Sequence, residues 1–175
     1  DVIGPLLDSP INVLGGDSPV GVWGYNTATG KLCKSTDGLT FTDLMSPPTT
    51  PGGYVIDLIV SGTKLYVLSS RMTCFVSSDL TAGATWTDIT PPAATAPATG
   101  LLHSVAAARP YNIAVWADYF WLAEYTDGVE TSADPFDPSG PRLLKYGPLS
   151  GAPAWSLGKQ FDQARHIHGL VNAVS

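Results

Sequence analysis

Along this chain, short apolar, β-branched and aromatic runs are separated by clusters of Gly, Pro, Ser, Thr and Asp, a pattern of strands joined by turns. A first apolar stretch covers Ile11 to Leu14. Val20 to Tyr25 reads as a strand, Asn26-Thr-Ala-Thr-Gly30 as a turn, and Lys31 to Lys34 as the return. The stretch from Ser46 to Gly53 holds Pro47, Pro48 and Pro51, which no helix or central strand would tolerate, so it is a linker. The next unit is the most regular. It predicts strands at Tyr54 to Val60, Lys64 to Ser69, Met72 to Ser77 and Thr85 to Ile89, an antiparallel meander. After a second Pro-rich linker, Pro91 to Pro97, the pattern restarts. Ala114 to Leu122 aligns with Ile59 to Val67, and Ala117-Asp118 falls where Gly62 makes the turn. An apolar run of this length also suits a buried helix, but its aromatic and β-branched content and its mid-run polar break favour a hairpin. Leu143 to Tyr146 and Ala154 to Leu157 fill the third and fourth strand slots, and Asp134 to Pro141 is an inserted loop. Arg165 to Val171 opens a further unit. The units run roughly 11–46, 53–90, 100–158 and 165–175 onward.

One turn is written twice. Ser35-Thr-Asp37-Gly38-Leu-Thr40-Phe41 precedes Thr42-Asp43-Leu44, and Ser77-Ser-Asp79-Leu-Thr-Ala-Gly83-Ala-Thr85-Trp86 precedes Thr87-Asp88-Ile89. The physics is that of a hairpin tip. An Asp carboxylate accepts hydrogen bonds from N–H groups of its own turn, and Gly supplies the positive φ of the reversal. Ser and Thr hydroxyls satisfy further turn groups, and the aromatic starts the return strand with its ring available for burial. In the third unit Gly147 to Pro153 takes this place with no Asp, so that copy is degenerate.

These turns resemble the Asp-box, the bacterial neuraminidase repeat of sialidase-like β-propellers. The resemblance implies an all-β fold, a partial β-propeller of about three and a half four-stranded antiparallel blades forming one domain over 1–175. In that family the motif lies at the outer rim, away from the ligand face near the axis, so Ser35, Asp37, Gly38, Thr40 and Phe41, like Ser77, Asp79, Gly83, Thr85 and Trp86, are structural. Radial sheets close into rings of about four to eight. The expectation is therefore that the polypeptide continues past Ser175, or that other copies supply the remaining blades.

Charge narrows the partners. With 9 Lys plus Arg against 15 Asp plus Glu, the net charge is −6, which argues against nucleic acid or an anionic membrane as a partner. The longest apolar run, near Ile113 to Ala123, is too short to span a bilayer and is broken by Asp118, so membrane insertion is not expected. Cys33 stands two residues before Ser35 and Cys74 three before Ser77, so the two thiols point to opposite faces relative to the turn. Separate buried thiols are the reading, with a disulfide between neighbouring units as the alternative.

Candidate chemistry gathers where inner strands begin. His103, His166 and His168 fall there, and Asp57 sits in the corresponding strand of the second unit. In a propeller these would line the central channel; the reading is hydrogen-bonded polar residues, with contacts to a sugar or other ligand, or metal ligation, as the alternatives. Trp116 and Trp121, with Tyr119 and Tyr125, suit either inter-blade packing or a sugar-stacking platform. The Asp127, Asp134 and Asp137 loop matches no calcium motif, and no metal or cofactor is expected. Glu124 and Glu130, the only glutamates, are expected to be solvated at the rim. Sialidases bring three arginines to the substrate carboxylate. Here Arg71, Arg109, Arg142 and Arg165 do not follow that pattern, the first unit has none, and the Arg-Ile-Pro motif is missing, so no catalytic residue is assigned. The Ala, Thr, Pro, Gly and Asp richness with scarce lysine is similar to propeller domains in tail proteins of bacteriophages with high-GC hosts. The expectation is a non-enzymatic binding or structural module in a virion or outside the cell, whose partners are virion proteins or a host-surface glycan. The alternatives are a secreted glycoside hydrolase with catalytic residues beyond Ser175, or a small lectin whose ring closes by oligomerisation.

Overall fold

Most consecutive apolar runs pair in sequence order because the turns between them are too short for anything but antiparallel reversal. The computed structural model describes residues 10–17, 21–48, 53–71, 73–92, 106–107, 112–126 and 142–161, with 167 and 170. Within them lie three four-stranded antiparallel sheets and no helix. Sheet 1 comprises β1 (Ile11–Asp17), β2 (Gly21–Asn26), β3 (Lys31–Ser35) and β4 (Thr42–Met45). Sheet 2 comprises β5 (Val55–Ser61), β6 (Lys64–Ser69), β7 (Cys74–Ser77) and β8 (Trp86–Asp88). Two short strands, β9 (Ala106–Ala107) and β12 (Tyr125–Thr126), pair in a small sheet that the sequence pattern did not announce. Sheet 3 holds β10 (Ile113–Trp116), β11 (Tyr119–Ala123), β13 (Arg142–Gly147) and β14 (Ala154–Gln160), in that order.

The hairpin reading of 114–122 holds: Trp116 pairs with Tyr119 around Ala117-Asp118, as Ser61 pairs with Lys64 around Gly62-Thr63. Gly62 sits at φ 59, a conformation free of side-chain clash only for glycine, whereas Ala117 at φ 50 and Asp118 at φ 66 adopt it with side chains.

What holds the sheets together is alternation on both faces of sheet 2. In β6, Leu65 and Val67 point to sheet 1 and meet Trp23, Tyr25, Leu32 and Met45. Tyr66 and Leu68 point the other way and meet Ile113, Phe120, Leu122 and Leu144 of sheet 3. A strand buried on both faces cannot alternate polar with apolar residues, which is why β6 reads Leu-Tyr-Val-Leu. Tyr66 and Phe120 stack across the gap with centroids 5.3 Å apart and planes 15° from parallel. The first strands approach one another: β5 lies beside both β1 and β10. Cys33 and Cys74 are separate buried thiols on opposite faces, Cys74 in the core between sheets 2 and 3. Burial pushes both thiols up, and neighbouring carboxylates, Asp43 and Asp88, add to it.

Trp86 opens β8 opposite Ser77, and Trp155 stands in the same place opposite Tyr146. Trp86 packs on the core between sheets 1 and 2. Trp155 packs edge-on against Phe120 and donates its indole N–H to the Ile89 carbonyl at 2.7 Å, tying sheet 3 to the end of sheet 2. Trp155→Ala is expected to cost about 3 kcal/mol in urea unfolding and Trp155→Phe about 1 kcal/mol, the latter isolating the hydrogen bond.

Candidate functional site

In each sheet the tight hairpin of the first two strands and the turn before the last strand lie at one end, and the remaining connections at the other. The first end carries the repeated turns. Asp37 Oδ1 accepts the N–H groups of Leu39 and Thr40 at 2.8 Å each, and the Ser35 hydroxyl at 2.8 Å. The same hydroxyl oxygen accepts Gly38 N–H, and Gly38 takes φ 74. These donors, the backbone N–H of Thr40 first, hold the Asp37 carboxyl well below the usual carboxylate range. Phe41 is half-buried behind the turn.

The second copy works differently. Asp79 Oδ1 accepts the hydroxyl and N–H of Thr81 at 2.6 and 2.7 Å, and these lower its carboxyl too. Ser77 does not reach this carboxylate among the described contacts; its hydroxyl oxygen accepts Leu65 N–H, and Ser78 supplies the bond to Asp79 and also accepts Thr85 N–H. Gly83 is not in the left-handed region, contrary to the expectation for both glycines. Two extra residues before it spread the reversal over a longer loop, so no single position carries the strain.

The third turn corrects the sequence reading further. Its missing Asp is supplied from another hairpin. Asp118, in the β10–β11 turn, accepts Ser150 N–H at 3.0 Å and the Ser150 hydroxyl at 2.5 Å, while its carbonyl accepts Leu149 N–H. Local spacing could not reveal a carboxylate borrowed from a turn that is distant in sequence.

An aromatic cluster grows from that hairpin. Trp116, Tyr119 and Trp121 share one face of sheet 3, with Trp121 6.4 Å from Trp116 and 6.0 Å from Tyr119. Trp121 donates its indole N–H to the Trp116 carbonyl at 3.1 Å. The Lys145 ammonium lies 4.9 Å from the Tyr119 ring centre and 5.9 Å from that of Trp121. Gly158 and Gly147 make room: a Cβ there would meet Trp121 at 2.7 Å and Tyr119 at 2.5 Å. Register divides this cluster in two. Trp121 opposite Lys145 repeats Trp23 opposite Lys34 and Tyr66 opposite Val76. Trp116 and Tyr119 stand where sheet 2 has Ser61 and Lys64, so these two aromatics are an addition of sheet 3. Trp116 is 62% exposed.

The other end holds a buried polar layer. Asp57, at a bulge in β5, accepts its neighbour Leu58 N–H at 2.9 Å and, across the gap between sheets, Ile113 N–H at 3.4 Å. It therefore links the first strands of sheets 2 and 3. Asn112 donates its side-chain amide to the Ala123 carbonyl, and its Oδ1 is buried without a hydrogen-bond partner among the described residues. Glu124 is fully buried and not solvated as expected. Its Oε1 accepts Arg142 Nη2 and its Oε2 accepts Arg142 Nε, each at 2.9 Å, and Oε2 also accepts Arg142 N–H. The pair occupies the register of Ser69 and Thr73 in sheet 2, whose hydroxyls hydrogen-bond to each other. In both sheets the main chain repeats the bond from the first residue's N–H to the second's carbonyl. A hydroxyl pair closes the short 70–72 connection; a forked ion pair closes the far longer one at 125–141, where end-to-end closure costs more entropy.

The structure thus brings Trp116 and Trp121 together and places Asp57 apart from them. His103, His166 and His168 lie outside the described residues, as do Arg109, Arg165, Glu130, Asp127, Asp134 and Asp137. No family model, curated protein or solved structure matches the chain. Arg142→Met, leaving the Glu124 carboxylate buried without its cation, is expected to lower unfolding free energy by about 3–5 kcal/mol, while Glu124→Leu with Arg142→Met recovers most of it. Equal losses in the single and double variants would contradict this account of the pair.

Proposed function

We propose that the chain is a non-enzymatic binding and structural module of the sialidase-like propeller type, carried in a bacteriophage tail and contacting a host-surface glycan. The observation that carries the reading is Trp116, 62% exposed, with the half-buried Tyr119 opposite it, present on sheet 3 and replaced by Ser61 and Lys64 on sheet 2. A ring needed only for packing would recur at each sheet, as Trp23, Tyr66 and Trp121 do. An exposed indole beside a phenol presents flat apolar faces to the C–H side of a sugar ring. The blade reading is supported by three successive meanders whose first strands lie side by side. Two carboxylate-built turns at matching connections support it too. Arg142 engages both carboxylate oxygens of Glu124 in the buried pair, which supports a structural role for that glutamate.

Host-cell adsorption and a glycan array test this. Trp116→Ala is expected to reduce glycan retention at least about tenfold with unchanged far-UV circular dichroism, on the scale of losing one central aromatic contact. Retention equal to that of the unaltered chain removes the Trp116 platform from the account.

A further inference from the structure

Sheet 3 turns one face toward sheet 2 and the other away from it. Phe120, Leu122 and Leu144 point to sheet 2. By strand alternation and register, the opposite face carries Trp116, Tyr119 and Trp121, then Lys145, and at its outer strand Lys159. This face therefore holds two lysines and, among the described residues, no Asp or Glu, in a chain whose net charge is −6. Asp118, in the adjoining turn, gives its carboxylate to Ser150. Lys145 stands beside the Tyr119 and Trp121 rings, and its ammonium pairs with no carboxylate among the described residues.

Comparison with the other sheets separates the shared plan from the addition. Lys34 lies over Trp23 at 5.4 Å in sheet 1, as Lys145 lies over Trp121 in sheet 3. In sheet 1 the register sets Asp17 and Gly21 where sheet 3 has Trp116 and Tyr119. Sheet 3 thus keeps the cation, drops the acid from that register and adds two rings. This end of the face also stays open where a neighbouring sheet covers the rest. Sheet 3 packs on the corresponding face of sheet 2. Yet Lys64, the counterpart of Tyr119, is exposed there, and Val76, the counterpart of Lys145, is only half-buried.

We propose that the sugar held at this platform is acidic: a ring stacks on Trp116, and a carboxylate on that ring or on the next sugar pairs with Lys145. This rests on the glycan-binding reading and names the class of sugar it takes. One ammonium balances one negative charge, which a sugar carboxylate carries in full at neutral pH, whereas a phosphate monoester carries nearly two. The rings exclude water from one side of the ammonium, so an anion there gains more than it would from a fully solvated lysine. Trp116 and Lys145 lie on strands either side of β11, two strand spacings or about 10 Å apart, a span that linked sugars bridge.

Retention of the full chain on immobilised oligogalacturonate, beside the same oligosaccharide as its methyl ester, tests this. The ester keeps the stacking face of each ring and removes only the charge. The unaltered chain is expected to retain the acid at least about tenfold better than the ester. Lys145→Met, which keeps an apolar stem against the two rings, is expected to bring the acid down to the level of the ester, and Lys145→Arg to restore the preference; circular dichroism checks the fold of each. Trp116→Ala is expected to weaken acid and ester alike. Equal retention of acid and ester by the unaltered chain, or a preference that survives Lys145→Met, overturns the proposal. In either case, retention that still falls with Trp116→Ala leaves the glycan-binding reading standing. Retention of neither form overturns the proposal, and loss of every neutral glycan as well removes the binding reading with it.

Discussion

The structure depends on one constraint: a four-stranded meander with apolar residues on both faces cannot stand alone in water. Sheet 2 meets that condition most completely. Leu65 and Val67 on one side and Tyr66 and Leu68 on the other are all buried, and each side needs a neighbouring sheet. Burial at roughly 25 cal/mol per Å² of apolar surface then orders the sheets in the sequence 1, 2, 3. Specific contacts sharpen the arrangement. The Tyr66–Phe120 stack, the Trp155 bond to Ile89 and the Asp57 bond to Ile113 all join sheets 2 and 3.

Turns and closures are solved differently in each unit, by the same chemistry of an acceptor facing several donors. Asp37 does it within its own turn, Asp79 with help from Ser78 and Thr81, and Asp118 on behalf of a turn in a different hairpin. Ser69 with Thr73 and Glu124 with Arg142 are two answers to the joining of the second and third strands, scaled to the length of the connection. Sheet 3 departs from this common plan in two ways: the ion pair serves its longer connection, and Trp116 with Tyr119 stands where sheet 2 has Ser61 and Lys64.

Much of the strand plan was legible because periodicity and turn chemistry are local. The hairpin at Ala117-Asp118, the meander of sheet 2 and the opposite facing of Cys33 and Cys74 followed from spacing alone. The roles of Asp118 and Glu124 were not legible. Each is set by a partner in another part of the chain, Ser150 for one and Arg142 for the other, and isolated acidic residues near turns look solvated until the partner is known. The conformation of Gly83 was misread for a related reason: loop length, rather than residue type, decided whether a positive φ was needed. At the candidate site, Trp116 and Trp121 were singled out together. Only the register separated the aromatic that every sheet uses from the one that sheet 3 adds.

The central claim is that sheets 2 and 3 pack face to face through the layer containing Tyr66 and Phe120. A double-mutant cycle with Tyr66→Leu and Phe120→Leu, read by urea unfolding, measures it directly. Stacking at 5.3 Å predicts a coupling of about 1 kcal/mol between the two changes. Losses that simply add, with coupling below about 0.3 kcal/mol, would contradict the packing of sheet 3 on sheet 2.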